Sequence, residues 1–191
     1  MEGVRPSLGQ VLEVGSATGE FVALASERGY EVVGIEVSGW AVEASHEVTQ
    51  LVTHGRIEDL GTADPGRRFD TIAAFHVIEH CADPATLLRE MYRLLRPSGS
   101  LFLEVPNGGD PNARPDGRGW WMASLDDHYV HFTAQGIEQV LLATGFREVS
   151  TGVVPIAEYS QAGGDPSSAP ARRRRARVAS GQELLRVSAT R

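Results

Sequence analysis

Short apolar runs alternate along this chain with stretches whose apolar residues recur at helical spacing. That alternation is typical of an α/β protein with a mainly parallel sheet covered by helices on both faces. The runs predict seven strands, at residues 10–14, 31–35, 50–54, 71–75, 100–105, 148–154 and 183–188. We expect the last two strands to form an antiparallel hairpin at the edge of the sheet.

Local signals mark the ends of three helices. The first is predicted at 19–28, with Thr18 as the N-terminal cap. The second begins after Asp83, carries a clear apolar stripe and is predicted to end at Pro97. A third is predicted to open at Thr133 and to close at Gly145.

Composition narrows the class of protein further. At 191 residues and 41% hydrophobic residues, the chain is expected to form a single globular domain over 1–191. No apolar run approaches the roughly 20 residues of a membrane helix, and the single Cys81 permits no internal disulfide. We therefore expect a cytoplasmic enzyme. Its 18 basic residues are all arginine, which excludes lysine-based catalysis.

Two irregular stretches break the strand and helix pattern. Residues 106–132 contain Trp120 and Trp121. A loop this long, with adjacent tryptophans, predicts a lid that lines one side of the binding site for an apolar substrate. The alternative is a tryptophan pair that anchors the loop to the core. Residues 161–181 are rich in Ala, Gly, Pro, Ser and Arg and predict a disordered basic hairpin insertion. Its arginine cluster at 172–177 is interpreted as solvated, with phosphate binding as the alternative.

The turn after the first predicted strand carries the strongest chemical signal. Small residues follow at intervals of two, at Gly15, Ala17 and Gly19. Glu13 precedes them, and Glu36 ends the second strand. This arrangement predicts a nucleoside site. Small residues let the backbone approach a ligand closely, and an acid at the end of the second strand accepts hydrogen bonds from ribose hydroxyls. A dinucleotide motif would need glycine at 20, where this chain has Glu20.

Four segments in order resemble the class I S-adenosylmethionine-dependent methyltransferases. They are the turn at 13–19, Glu36, the strand and turn at 69–80, and the helix end and strand at 94–107. The Val-Ile-Glu-His sequence within 69–80 resembles the ubiquinone-pathway O-methyltransferase branch. The resemblance implies a Rossmann-like, doubly wound, seven-stranded, mostly parallel sheet with an antiparallel edge hairpin, and S-adenosyl-L-methionine as cofactor.

The same resemblance implies a role for each cofactor-side residue. The backbone of 15–19 would pass under the amino acid part of the cofactor, Glu13 would hold its ammonium and Glu36 its ribose hydroxyls. The implied set of further cofactor contacts is Val37, Ile57, Glu58, Phe75 and His76. Asp59 is an alternative to Glu58 at the adenine amino group. The chain departs from the family pattern at Arg56, where an acid is usual.

Histidines dominate the predicted acceptor side. The candidate catalytic residues are His76, His80, His128 and His131. One interpretation makes one of them a general base for a phenol or alcohol. A second places a divalent metal on Glu79, His80 and another histidine. A third makes Glu79 and His80 structural caps of the loop. We assign no metal ligands, and a divalent metal stays the alternative.

These observations favour methyl transfer to a small-molecule acceptor, most often through oxygen. Two alternatives remain from the sequence. One is a metal-assisted RNA 2′-O-methyltransferase, since a related Glu-x-x-Glu-His pattern binds metal there, although this chain has His76 at the first acid. The other is a non-catalytic cofactor-binding subunit. The net charge of −7 disfavours a nucleic acid partner, no membrane partner is expected, and a homodimer or partner chain could cover the acceptor site.

Overall fold

A computed structural model describes residues 8–111, 113, 127–155 and 184–191. Its centre is a seven-stranded sheet with the order β3-β2-β1-β4-β5-β7-β6. The strands are β1 Gln10–Val14, β2 Glu31–Glu36, β3 Val52–His54, β4 Phe69–Phe75, β5 Leu95–Pro106, β6 Arg147–Val154 and β7 Leu184–Thr190. Only β7 runs against the other strands, pairing antiparallel with both β5 and β6. The predicted sheet and its antiparallel edge hairpin are confirmed.

Five helices flank the sheet in the described part of the chain. They are α1 Glu20–Glu27, α2 Gly39–Ser45, α3 Ile57–Ala63, α4 Pro84–Leu94 and α5 Ala134–Thr144, with a short 3-10 turn at Ile78–His80. The Asp83 carboxylate accepts from the backbone N–H of Thr86, and the Thr133 hydroxyl accepts from that of Gly136. The predicted starts of these two helices, at Asp83 and at Thr133, are therefore confirmed.

Two predicted helix boundaries are wrong. Gly19, at φ 85°, precedes α1, and the Thr18 hydroxyl bonds the Glu20 side chain instead of capping the helix. Helix α4 ends at Leu94, and Leu95 already pairs with Phe69 as the first residue of β5. Pairing with β4 thus ends the helix and begins the strand a few residues earlier than Pro97, where the sequence predicts the helix to end.

Both faces of the sheet are packed, as a doubly wound fold requires. One core cluster joins the sheet to α4 and α5 through fully buried Leu88, Met91, Ile137 and Leu141. A second cluster on the α1 side contains Val22, Ala25, Val32 and Val52. Strand order reverses between β1 and β4, so a crevice opens at the carboxyl ends of these strands, where ligands of open α/β sheets bind.

Several predicted features fall outside the described residues. Trp120, Trp121, the arginine cluster at 172–177 and the predicted insertion at 161–181 all lie there, as does most of the predicted lid. The described ends of that predicted lid meet: the backbone N–H of Gly108 donates to Phe132 O at 2.7 Å. Within the described residues, no helix is long and apolar enough to cross a membrane.

Candidate active site

The turn between β1 and α1 is held in a strained left-handed path. Gly15, Ala17 and Gly19 have φ values of 71°, 44° and 85°. The backbone N–H groups of Gly15 and Ser16 both donate to Ile35 O, at 2.8 and 3.2 Å. A Cβ on Gly15 would lie 2.5 Å from Val77 Cγ2. The turn therefore packs directly against the segment that follows β4.

Gly15→Ala is expected to destabilise the fold more than Gly29→Ala. Both glycines have positive φ, so both variants carry the left-handed strain of about 1–3 kcal/mol. Only at Gly15 does the new methyl meet Val77, because nothing lies within 4 Å of a Cβ on Gly29. We expect this overpacking to cost Gly15→Ala about 1–3 kcal/mol more of unfolding free energy than Gly29→Ala. Urea denaturation of both variants measures the difference. Equal losses in the two variants would contradict the packing of the turn on Val77.

Glu13 is a buried carboxyl group with an unused oxygen. The residue is 5% exposed, and its Oε2 has no hydrogen-bond partner among the described residues. Burial, followed by the charges of Glu20 and Glu36, raises the pKa of Glu13 to about 8. A cation placed beside this oxygen would stabilise the carboxylate. The position thus suits a positively charged ligand group.

Glu36 fastens the turn to the end of β2. Its Oε2 accepts from the backbone N–H of Ala17 at 3.0 Å, and its Oε1 accepts from that of Ser38 at 2.8 Å. Each carboxylate oxygen has a second lone pair. Glu36 can therefore accept two ligand hydroxyls at the mouth of the crevice while it supports the turn.

The residues predicted to contact adenine lie beyond β2 and β3. Val37 is 64% exposed, whereas the Ile57 side chain is buried in the core, so Ile57 can offer only backbone to a ligand. The Glu58 carboxylate lies 3.5 Å from Arg56 in an exposed ion pair. Asp59 accepts from the Arg56 N–H at 2.8 Å, which leaves Glu58 as the more available acid.

His76 lies between two buried carboxylates at the end of β4. Its Nδ1 is 3.2 Å from Glu79 Oε1, and its Nε2 is 3.5 Å from Glu104 Oε1. Burial alone would lower the pKa of His76, but hydrogen bonds to Glu104 and Glu79 outweigh it and raise the pKa to about 9. His76 is therefore an imidazolium at neutral pH, which argues against it as the general base.

Sequence reasoning missed two members of this charged network. Glu104 is 1% exposed on β5, and its Oε2 accepts from Arg186 Nε at 2.7 Å. A carboxylate within the otherwise apolar run 101–105 was the available signal for Glu104.

Phe75, the predicted cofactor contact before His76, packs against Phe21, with the ring centroids 5.2 Å apart.

The segment at 127–132 folds back over the turn that follows β4. The carbonyl of Glu79 accepts from the backbone N–H groups of Tyr129 and Val130, at 2.9 and 3.2 Å. His80 Nδ1 lies 2.9 Å from the carbonyl of Asp127. These bonds bring two distant parts of the chain together at the carboxyl end of β4, so this stretch returns over the edge of the sheet where the sequence analysis expects it.

Three of the four candidate histidines meet there. The rings of His80 and His128 pack edge to face with centroids 4.6 Å apart, and His131 lies 6.3 Å from His128 on the exposed side. Burial, then the charge of His80, lowers the pKa of His128. One possible ligand atom from each of Glu79, His80 and His128 lies within 4.8 Å of the others.

A methyltransferase domain family matches residues 2–151 of this chain. That match covers most of the domain, including the crevice and the β4 turn. The chain belongs to the class I S-adenosylmethionine-dependent methyltransferases. Both the family resemblance and the cofactor expected from the sequence are thereby confirmed. S-adenosyl-L-methionine is the cofactor of this family.

Relatives agree with the family assignment. A ubiquinone biosynthesis O-methyltransferase of Pseudomonas paraeruginosa is 32% identical over 103 residues, covering 51% of this methyltransferase and 44% of the relative. The matched region thus spans less than half of that relative's length.

Solved structures share the fold. An S-adenosylmethionine-dependent methyltransferase from Archaeoglobus fulgidus superposes with a TM-score of 0.71 at 19% identity, covering 95% of this chain and 86% of that one. Phosphoethanolamine N-methyltransferase 2 of Haemonchus contortus, in complex with S-adenosyl-L-methionine, gives 0.71 at 17% identity, covering 98% and 49%.

Proposed function

We propose that this methyltransferase moves the methyl group of S-adenosylmethionine to an oxygen atom of a small-molecule acceptor. Glu13 would hold the cofactor's ammonium, the turn at 15–19 would lie under its amino acid part, and Glu36 would hold its ribose. The bound cofactor supplies an electrophilic methyl group on a good leaving group. The protein's task is then to align the acceptor and to take its proton.

The cofactor side of the proposal is supported by the donors and acceptors at the crevice. The unpartnered Oε2 of Glu13 is an acceptor with the charge that an ammonium requires. Glu36 keeps lone pairs for hydroxyls while it binds the amides of Ala17 and Ser38. Glu13 lies one residue before the end of β1 and Glu36 ends the neighbouring parallel strand β2, which places both acids at the edge of the sheet where the ligand crevice opens.

The observation that carries the oxygen assignment is the histidine cluster at the end of β4. Val77 packs on Gly15, so the turn that bears Glu79 and His80 adjoins the cofactor turn. The return of 127–132 adds His128 and His131 to it. A hydroxyl acceptor must lose a proton as its oxygen bonds the methyl carbon, and such a cluster provides bases for that proton.

We assign the base role to His131. It lies on the exposed side of the cluster, 6.3 Å from His128 between ring centroids, where an incoming acceptor can reach it. His76 is held as a cation between Glu79 and Glu104, and would position Glu79 without taking the proton. The name of the Pseudomonas relative, an O-methyltransferase of ubiquinone biosynthesis, supports a hydroxyl acceptor.

His131→Ala is expected to lower methyl transfer about a hundredfold or more, because general base catalysis contributes on that order. Binding of S-adenosylhomocysteine should stay within about twofold of wild type, since His131 is assigned to the acceptor and not to the cofactor. The assay follows tritiated methyl transfer from S-adenosylmethionine to catechol, hydroquinone and simple alcohols.

His46→Ala is the matched control, because His46 is an exposed histidine at the end of α2. It should leave both turnover and cofactor affinity unchanged. Full turnover in His131→Ala would remove His131 from the mechanism. Parallel losses of turnover and cofactor affinity would show that His131 supports the fold instead.

A further inference from the structure

An apolar groove runs along one face of the sheet, between α1 and β5. Its volume of about 350 Å³ lies within the range of small-molecule pockets, about 300–1,000 Å³. The floor of the groove is β4, whose alternate residues Thr71, Ala73 and Phe75 lie on this face. The residues proposed to hold the cofactor and to take the proton leave this groove without a role.

Two exposed apolar side chains form the walls of the groove. One wall is a stripe of α1 whose members recur at the i, i+3, i+4 and i+7 spacing of a single helix face: Phe21, Leu24, Ala25 and Arg28. A helix stripe of this kind normally packs against another element, yet Leu24 is 47% exposed. The opposite wall is Phe102 on β5, which is 46% exposed.

The apolar surface is only one strand wide. Phe102 is paired across the sheet with Ser188 of β7, and Ser188 with Ser150 of β6, so polar side chains begin directly beyond this wall. Because α1 already covers β1, the open floor is β4, and neighbouring strands lie about 4.8 Å apart. An α-helix, about 10–12 Å across, is too wide for this space. An extended alkyl chain, about 4–5 Å across by van der Waals contact, fits it.

One end of the groove adjoins the crevice. Phe75 is the last residue of β4 and directly precedes His76, and Phe21 lies in the first turn of α1, just after Gly19. Both side chains line the groove, and their ring centroids are 5.2 Å apart. The same aromatic pair therefore borders both the groove and the crevice. A ligand whose reacting group lies in the crevice can extend an apolar chain along β4.

We propose that the groove binds an uncharged aliphatic chain carried by the acceptor, so that the substrate class is an alkyl-substituted phenol or alcohol. The chain would lie over Ala73 and remove Leu24 and Phe102 from water. Among the described residues that line the groove, Arg28 is the only charged one, and it lies at the end away from the crevice. The reacting end of this acceptor rests on the proposed function, whereas binding of the chain does not require methyl transfer.

The test compares 4-butylcatechol with 4-octylcatechol, both below their aggregation limits. Each additional methylene, half-buried in an open groove, should contribute about twofold in affinity, so Kd and KM should fall about tenfold or more for the octyl compound. The reacting end is the same, so kcat should stay within about threefold. Calorimetry of the full chain without cofactor measures Kd, and tritiated methyl transfer from S-adenosylmethionine measures KM and kcat.

Two substitutions in the walls test the location. Leu24→Gln and Phe102→Thr should each reduce the chain-length preference in Kd to about threefold or less, because each replaces an apolar wall with a polar side chain. Leu142→Gln is the matched control, since Leu142 is an exposed leucine on α5, at 51%, and should keep the full preference. Circular dichroism checks the folding of each variant, and the two wall variants serve as independent tests.

The outcomes separate the groove from the reaction. Equal Kd values for the two catechols in wild type, or a preference that both wall variants keep, would overturn the chain site even if both catechols are methylated. A wild-type dimer in analytical ultracentrifugation that Leu24→Gln dissociates would assign the groove to a second copy and also overturn it. A chain-length preference in Kd that the wall variants lose, without methylation of either catechol, would support the groove and contradict the proposed transfer to these phenols.

Discussion

Replacing Glu36 with alanine is expected to weaken S-adenosylhomocysteine binding by about a hundredfold or more. The variant removes the two oxygens proposed to accept from the ribose hydroxyls, and hydrogen bonds to a charged group contribute about 1.5–3 kcal/mol each. It also frees the backbone N–H groups of Ala17 and Ser38, which Glu36 now holds at 3.0 and 2.8 Å. Isothermal titration calorimetry of wild type and variant measures the change.

Two further variants separate the ribose contact from support of the turn. Glu31→Ala changes an exposed acid at the other end of β2, whose Oε2 accepts from Gln10 Nε2 at 3.1 Å. This variant should bind as wild type does. Glu36→Gln keeps the shape of the side chain and one carbonyl acceptor. Its affinity for S-adenosylhomocysteine should therefore lie between those of wild type and Glu36→Ala. Wild-type affinity in a folded Glu36→Ala would remove the ribose assignment.

Cofactor affinity is expected to rise with pH between about 6 and 8. In the free protein the pKa of Glu13 is raised to about 8, so this carboxyl is mostly protonated at neutral pH. Binding an ammonium requires the carboxylate, so Glu13 must release its proton. The affinity should then rise about tenfold per pH unit below pH 8.

Calorimetry in two buffers with different ionisation enthalpies counts the released protons. At pH 7 we expect about 0.9 protons per S-adenosylhomocysteine bound, the fraction of Glu13 protonated at a pKa near 8. Glu13→Gln should bind more weakly at pH 8 and lose this linkage. A wild-type affinity independent of pH would show that Glu13 does not meet the ammonium.

The same group makes the free protein less stable as the pH rises. The folded-state pKa lies above the unfolded value of 4.5, so between about pH 4.5 and 8 the folded state binds the extra proton. Stability is therefore greatest below pH 4.5 from this group and is lost as the pH rises through 8. Glu13→Gln should remove that part of the pH dependence, which thermal melts at pH 6 and 8 measure.

The part of the structure proposed to hold the cofactor was predictable because its signals are local. Gly15, Ala17 and Gly19 lie within one turn, and their positive φ values are what small residues at those positions allow. Glu13 and Glu36 end apolar runs, so strand prediction alone placed them at one edge of the sheet. Their burial and their contacts with the turn required the structure.

The histidine cluster proposed to serve the acceptor depends on long-range contacts. His128 reaches Glu79 only because the backbone at 129 and 130 bonds the Glu79 carbonyl, a pairing that no local pattern encodes. The bond from Arg186 to Glu104 likewise joins strands 82 positions apart in the sequence. The positions of the histidines in the sequence indicated which segments to consider, at 76–80 and 128–131. Tertiary contacts determine which of these histidines meet.

The most direct test of the account is the wild-type titration itself. Purified chain, titrated in a calorimeter with S-adenosylhomocysteine and separately with NAD, should bind one equivalent of the former and none of the latter. That selectivity would come from Glu13, the turn at 15–19 and Glu36. Failure to bind S-adenosylhomocysteine, or equal binding of NAD, would contradict the cofactor site on which the whole proposal depends.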